Sequence, residues 1–129
     1  MTIRMESAQP VFTVTSVSDA VAWYRAVLGF EASFVHEGPG HPPNYAVLGN
    51  GGAELHLGLE ADMELPAGHG SCNFSTGDFD AAYESAREHG ARFFIELGRI
   101  PTGARTFGIE DPDGNRITFV EAPTSSSPR

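Results

Sequence analysis

The residues of this chain best suited to chemistry are a carboxylate and an imidazole two positions apart, Glu54 and His56. Residues 53–59 predict a β-strand, and side chains two apart on a strand share one face of it. Carboxylate and imidazole groups bind divalent metal ions, and they also hydrogen-bond small molecules and attract cations. The sequence therefore raises two hypotheses for this face, a metal site or a ligand-binding pocket.

Other chemically suggestive residues have simpler explanations. Cys72 is the only cysteine, and a lone cysteine in a predicted strand is more often a small buried hydrophobe than a nucleophile. Asp111 and Asp113 resemble a carboxylate pair, but the Asp-Pro-Asp-Gly segment that contains them is typical of a turn. His36 and His41 flank a Gly-Pro-Gly loop that could close over a pocket, although histidines in loops are usually solvated.

Two similar groups of elements must position these residues. The first half predicts a strand at 11–17, a helix from the N-cap Ser18 to Gly29, and strands at 30–35, 45–48 and 53–59. The second half predicts a strand at 71–75, a helix from the N-cap Asp78 to Gly90, and strands at 92–97, 105–109 and 117–120. Because the order of elements repeats, the chain is expected to contain two βαβββ modules.

The repeat also divides the chain. Pro66 and several glycines interrupt any periodicity between the two groups of elements, which is typical of a linker. The end of the chain is rich in serine and proline and has little to bury. The expected division is an N-terminal extension at 1–9, a first βαβββ module at 10–59, a linker at 60–70, a second module at 71–122 and a disordered tail at 123–129.

Composition excludes several classes of partner. The net charge is −9, with 17 acidic residues against 8 basic ones, and all of the basic residues are arginine. Nucleic acids and anionic membranes bind clustered cations, so neither is an expected partner. No apolar run approaches the roughly 18 residues that would span a bilayer, and the start lacks the features of a secretory signal, which predicts a cytoplasmic protein. An acidic surface could attract a cationic ligand.

Several segments resemble one known family. Residues 23–25 (Trp-Tyr-Arg), 28–30 (Leu-Gly-Phe) and 107–117 (Phe-Gly-Ile-Glu-Asp-Pro-Asp-Gly-Asn-Arg-Ile) resemble the vicinal oxygen chelate superfamily, the glyoxalase, bleomycin-resistance and dioxygenase group. The resemblance covers residues 10–121. It implies an α+β fold in which two tandem βαβββ modules curl into incomplete barrels around a cup, and a homodimer. It also implies one of two functions, a metal-dependent enzyme or a metal-free drug-binding protein.

The resemblance places the family's metal ligands at four positions, which fall on Phe12, Glu54, Ser71 and Thr118. Only Glu54 is a good ligand, whereas a catalytic divalent metal generally needs about three protein ligands. This comparison favours a protein without a metal. A register shift of two residues keeps the same strand face and would instead give the triad Glu54, His56 and His69, so the metal-dependent alternative stays open.

The same strand faces predict the lining of the cup. The predicted ligand-binding residues are Phe12, Phe34, His36, Tyr45, Glu54, His56, Ser71, Asn73, Gly103, Arg105 and Thr118. Aromatic rings stack on planar groups, and Glu54 favours a positively charged one. We therefore expect a protein without metal, cofactor or catalytic residues that sequesters a cationic or aromatic antibiotic. The alternatives are a metal-dependent lyase, dioxygenase or thiol transferase, and a non-catalytic accessory module.

Overall fold

A computed structural model of the protein describes residues 2–123. The first module contains strand β1 (Val11–Val14), helix α1 (Val17–Leu28), and strands β2 (Glu31–Gly38), β3 (His41–Asn50) and β4 (Ala53–Leu59). The second contains strand β5 (Ser71–Thr76), helix α3 (Phe79–Glu88), and strands β6 (Arg92–Arg99), β7 (Arg105–Glu110) and β8 (Arg116–Glu121). The short helix α2 (Glu60–Met63) lies between them. The predicted tail falls outside the described residues from position 124 onward.

Each module forms one four-stranded sheet. Sheet 1 has the strand order β1-β4-β3-β2 and sheet 2 the order β5-β8-β7-β6. In both sheets the first and last strands of the module pair in parallel, and the other pairs are antiparallel. Neither sheet closes on itself. The expected α+β fold of two tandem βαβββ modules is confirmed, with two open sheets as the incomplete barrels.

Helix α1 begins two residues earlier than predicted. Ser16, not Ser18, is the N-cap, and its hydroxyl accepts a 3.2 Å hydrogen bond from the backbone N–H of Asp19. Strand β1 correspondingly ends at Val14. Gly29 ends the helix in the left-handed conformation, with φ of 72°, which a residue without Cβ adopts at little cost. The helix is therefore bounded by a serine and a glycine of the predicted types, with the start of the helix corrected.

The proposed lid segment is largely strand. His36 belongs to β2 and His41 to β3, and the two strands pair as a hairpin up to Gly38 and His41. Only the two residues between the strands, Pro39 and Gly40, form a turn. The ladder of backbone hydrogen bonds makes this segment part of sheet 1.

The two modules share one hydrophobic core. In sheet 1 the fully buried Leu48, Leu55 and Leu57 lie on the face that packs against α1, where Tyr24 is also fully buried. Because strand side chains alternate, the intervening residues of β3 and β4 point to the opposite face. We call this second face of sheet 1 the open face. Burial of apolar surface on one side thus determines which side chains remain accessible on the other.

Within the described part of the chain, no helix is long and apolar enough to cross a membrane. The cytoplasmic location and the module boundaries inferred from the sequence stay predictions.

Candidate functional site

Strand pairing brings the central residues of the site together. In the antiparallel pair β3–β4, Val47 lies opposite His56 and Tyr45 lies opposite Gly58. Tyr45 and His56 are therefore diagonal neighbours on the open face, and Glu54 follows two residues from His56 on the same strand. The alternation of two adjacent strands is sufficient to align these three polar side chains.

The three side chains form a continuous hydrogen-bonded chain. The Tyr45 hydroxyl lies 2.6 Å from Nδ1 of His56, and Nε2 of His56 lies 2.7 Å from a carboxylate oxygen of Glu54. An ionised carboxylate only accepts, so the proton of a neutral His56 resides on Nε2 and is donated to Glu54. The Tyr45 hydroxyl then donates to Nδ1. Both ends of the imidazole are thereby held in place.

The environment keeps Tyr45 protonated. Burial raises the pKa of its hydroxyl, and the negative charge of Glu54 raises the pKa further. A neutral phenol in this position donates to His56 while its oxygen can still accept from another molecule. The Glu54 side chain is 46% exposed and that of His56 20%. The three hydrogen-bonded side chains therefore lead from the partly buried Tyr45 and His56 to the more exposed carboxylate of Glu54.

Strand β2 adds an aromatic border. Phe34 lies opposite Val47 and His36 lies opposite Tyr45, so both belong to the open face. The Phe34 ring is 52% exposed although it is large and apolar. His36 is fixed by a 2.7 Å contact between its Nδ1 and the side-chain oxygen of Asn44. The open face thus combines an exposed ring, two imidazoles, a phenol and a carboxylate.

The structure brings five of the predicted site residues together on the open face, namely Phe34, His36, Tyr45, Glu54 and His56. It adds Val11, which is 41% exposed and pairs with His56 across the parallel β1–β4 ladder. Val11 could be recognised from the sequence as part of an alternating strand. Its place beside His56 depends on the β1–β4 register, which cannot be derived from the sequence.

Phe12 does not belong to the site. It pairs with Leu57, is 1% exposed and lies in the core on the face opposite Glu54 and His56. Val11 and Thr13 are the β1 residues on the side of the open face. The predicted face of β1 was wrong by one residue, and such a shift moves every side chain to the other side of a sheet.

In sheet 2 the predicted residues divide into two groups. Asn73 and Thr118 are paired between β5 and β8, and Ser71 lies on the same face two residues before Asn73. Arg105 lies on the other face, where it binds Glu121 at 2.9 Å and Asp80 at 2.8 Å. Its guanidinium also covers the Phe79 ring, 4.7 Å from the centroid.

Gly103 lies in the turn before β7, at a φ of 94°, and not on a strand face. Two charged residues that were not predicted, Glu110 and Arg116, are paired partners on the face that carries Thr118, with a side-chain contact of 3.3 Å. Counting back two residues from Thr118 along β8 would have identified Arg116. The face of sheet 2 that carries Thr118 therefore also contains Ser71, Asn73, Glu110 and Arg116. It does not contain the predicted Arg105 or Gly103.

The side chains of residues 2–123 do not form a set that fits a resident metal ion. Both ring nitrogens of His56 already have partners, Tyr45 and Glu54. His69, the third member of the alternative triad with Glu54 and His56, lines a separate depression beside the start of β5. Among residues 2–123, no group of three or more His, Cys, Asp or Glu side chains could hold a metal ion. The triad is therefore not assembled in the part of the chain that the structure describes.

Comparison with known proteins gives a consistent family. Residues 7–119 match the model of the Glyoxalase/Bleomycin resistance protein/Dioxygenase superfamily. The Mycobacterium tuberculosis protein CFP32, whose name assigns it provisionally to the glyoxylases, is 33% identical over 95 residues, which are 74% of this chain and 36% of that protein. This chain thus spans about a third of the length of that relative.

Two further matches extend over nearly the whole chain. The lactoylglutathione lyase of Haemophilus influenzae is 25% identical over 131 aligned residues, covering 95% of this chain and 97% of that enzyme. The crystal structure of a bleomycin resistance determinant encoded on the transposon Tn5 superposes with a TM-score of 0.74 at 16% identity, covering 93% of this chain and 100% of that one. At that identity the likeness concerns the fold alone. By its fold and by the match over residues 7–119, the chain belongs to the glyoxalase/bleomycin resistance protein/dioxygenase superfamily.

Proposed function

We propose that this protein binds and sequesters a small aromatic or cationic compound of the antibiotic type on the open face of sheet 1. The observation that carries the proposal is the exposed Phe34 ring beside the hydrogen-bonded chain of Tyr45, His56 and Glu54. Ligand sites typically combine apolar surface with a few fixed polar groups. The open face has this composition, and its polar groups are already oriented.

The chemistry of the open face favours a planar ligand with a positive charge. An exposed aromatic ring offers a surface for stacking, and burying it would recover apolar contact. Glu54 supplies a carboxylate at the solvent end of the hydrogen-bonded chain, and the net charge of −9 attracts cations from a distance. Because both ring nitrogens of His56 are already hydrogen-bonded, to Tyr45 and to Glu54, the imidazole is held as a fixed polar group, which fits binding better than acid–base catalysis.

A second copy of the chain is proposed to complete the site. Large apolar side chains remain exposed on the outer strands of both sheets, Phe34 and Val35 on β2 and Ile95 and Leu97 on β6. Exposed apolar residues along edge strands are typical of surfaces that become covered. A homodimer is also what the family resemblance implies. Analytical ultracentrifugation tests it, since a monomer at micromolar concentration would contradict this part of the proposal.

A metal-dependent enzyme is the second candidate, favoured by the match to a lactoylglutathione lyase over nearly its full length. The composition of the open face argues against it, because Glu54 and His56 bind each other and lack a third ligand within the described residues. Metal analysis of protein purified without chelators separates the two candidates. Stoichiometric nickel, zinc, manganese or iron that is lost in Glu54→Ala would overturn the metal-free proposal.

Calorimetric titration against a panel of antibiotics, with bleomycin as a cationic member, tests binding directly. We expect saturable binding of at least one aromatic cation at one site per chain, and loss of that binding in Phe34→Ala. Because Phe34 is exposed, this substitution leaves the core intact, so a loss would not reflect unfolding. Failure of every compound to bind would favour the third possibility, a non-catalytic accessory module.

A further inference from the structure

A second cavity lies between the two modules, away from the open face. It has a volume of about 310 Å³. Residues of the C-terminal turn of α1, the hairpin between β3 and β4, strands β5 and β8, and helix α3 surround it. None of the five open-face residues borders it. A volume of this size is at the lower end of the range of cavities that hold small organic ligands, about 300–1,000 Å³.

Aromatic rings form the apolar part of the cavity. Phe30 and Phe74 have ring centroids 5.6 Å apart, and Phe74 and Phe119 have centroids 6.2 Å apart. Phe30 and Phe119 are buried in the core, so their positions are fixed by packing. Ala81 and Ala82 of α3 also line the cavity, and larger side chains at these positions would occupy part of its volume. The lining thus combines aromatic rings fixed by packing with small residues.

The polar part of the cavity offers acceptors. The Asn50 side chain donates its amide N–H to the carbonyl of Leu28 at 2.9 Å, which leaves its amide oxygen free to accept. The Ser85 hydroxyl donates to the carbonyl of Val27 at 2.5 Å, so its remaining lone pairs also accept. The Ser85 hydroxyl has committed its only donor and Asn50 has committed one of its two N–H groups, so each side chain retains an oxygen that can accept. A ligand that brings its own N–H groups would match this lining.

The one charged residue of the cavity wall is a carboxylate, Asp78. It stands at the N-cap position of α3, but its side chain makes no capping hydrogen bond. Among the described residues, none of the ion pairs involves it. Hydrogen bonds between an ammonium group and a carboxylate are about twice as strong as neutral ones. Asp78 is therefore available to a positively charged group.

We propose that this cavity is a second ligand site, specific for a small organic cation with an ammonium group on an aromatic or branched apolar body. The ammonium group lies at Asp78 and donates to the acceptors of the wall, and the apolar body lies against Phe30, Phe74 and Phe119. The site is independent of the proposed function of the open face, since it shares no residue with it. Either site can be occupied without the other.

The probe for this site is 2-phenylethylammonium, with 3-phenylpropionate as its anionic counterpart and 2-phenylethanol as its neutral one. In ¹H–¹⁵N correlation spectra, the cation is expected to shift the amide signals of Ser75, Thr76 and Ala82 in a saturable manner. The anion should leave them unchanged and the alcohol should shift them only weakly. Equal binding of cation and anion, or shifts confined to Tyr45 and His56, would overturn the proposal.

Asp78→Asn removes the negative charge while keeping the side-chain size, and it breaks no capping hydrogen bond, because the Asp78 side chain makes none. We expect about tenfold weaker binding of 2-phenylethylammonium, as follows from losing a charge-assisted hydrogen bond. Asp62→Asn is the matched control, since it changes the net charge equally at an exposed position outside the cavity. Unchanged affinity in Asp78→Asn, or an equal loss in both variants, would disprove the site. In Glu54→Gln, the signals of Ser75, Thr76 and Ala82 should saturate at the same probe concentration as in the parent protein, because Glu54 does not border the cavity. This readout separates the proposal from that for the open face.

Discussion

The hydroxyl of Tyr24 donates a 2.8 Å hydrogen bond to the carboxylate of Asp111, which lies in the other module, 87 residues along the chain. Tyr24 is fully buried and Asp111 is 1% exposed. The carboxylate also accepts hydrogen bonds from the Asn115 side chain and from the backbone N–H groups of Asp113 and Asn115. The Asp-Pro-Asp-Gly turn of the second module is thus attached to helix α1 of the first.

Tyr24→Phe should destabilise the protein by about 1.5–3 kcal/mol, the cost of losing a hydrogen bond to a buried charged group. Urea unfolding followed by circular dichroism measures this loss. Tyr83→Phe is the matched control, because the Tyr83 hydroxyl is involved only in a long, 3.5 Å contact with Arg87 among the described residues. An equal loss in both variants would mean that the Tyr24–Asp111 hydrogen bond contributes no specific stability.

Alkaline pH should destabilise the protein partly through the same residue. Burial, and next the charge of Asp111, raises the pKa of Tyr24 well above its ordinary value of 10.0. Above that pH the unfolded chain releases the Tyr24 proton while the folded chain retains it, so stability falls as pH rises. The slope should be steeper in the parent protein than in Tyr24→Phe, by about 1.4 kcal/mol per pH unit. Urea unfolding at a series of alkaline pH values measures both slopes, and parallel slopes would contradict the assignment.

Cys72 should react slowly with thiol reagents. Burial raises the pKa of its thiol to about 11, and only the thiolate is nucleophilic. At pH 8 its alkylation by iodoacetamide should be about 100-fold slower than that of an unperturbed cysteine, because the thiolate fraction falls tenfold per pKa unit. The rate should rise with pH towards a midpoint near 11. Fast alkylation at neutral pH would show that Cys72 is an activated thiol.

Glu54→Gln should weaken the binding of a cationic ligand to the open face by about tenfold, because it removes the negative charge while keeping the side-chain size. Glu84→Gln is the control for net charge, since Glu84 is exposed on α3. Calorimetric titration with the tightest cationic compound of the antibiotic panel measures both variants. If the two bind alike, long-range attraction rather than contact with Glu54 accounts for any preference for cations.

Gly68→Ala should be strongly destabilising. Gly68 has a φ of 86°, and a Cβ there would lie 2.0 Å from the carbonyl oxygen of Asp113, so backbone would have to move. Gly51→Ala is the control, since its φ is 57° but its Cβ would meet nothing within 4 Å. The control should lose about 1–2 kcal/mol from left-handed strain alone. Thermal unfolding should show a larger loss for Gly68→Ala, and similar losses would mean that the turn adapts.

The central part of the candidate site was predictable from sequence because β3 and β4 form a tight hairpin. Gly51 and Gly52 form a two-residue turn between the paired residues Asn50 and Ala53, so the register of both strands follows from it. Alternation then aligns Tyr45, Glu54 and His56. The family-level motif at 107–117 likewise predicted the closing hairpin of the second module. Tight turns and hairpins of this kind depend only on residues close together in the sequence, so they can be predicted from it.

Phe12 and Arg105 were misplaced because their strands pair with distant segments. The N-cap of α1 lies at Ser16 and not at the predicted Ser18, and the parallel β1–β4 register, which sets the face of Phe12, cannot be derived locally. Arg105 begins β7, and its orientation is determined by ion pairs with Asp80 and Glu121, which come from two other elements. Side chains alternate between the two faces only within a continuous strand. Counting residues across a loop therefore does not predict which face a residue of the next strand occupies.

In sheet 1, buried core residues and more accessible residues alternate along the same strands. Leu55 and Leu57 alternate with Glu54 and His56, so the residues that pack in the core and those proposed to contact a ligand occupy different positions of the same strand. Substitutions at the exposed positions cost little folding free energy, because surface changes are usually within about 0.5 kcal/mol. With the open face as the proposed ligand site, single substitutions there can change the ligand preference while the core residues of the same strands stay unchanged.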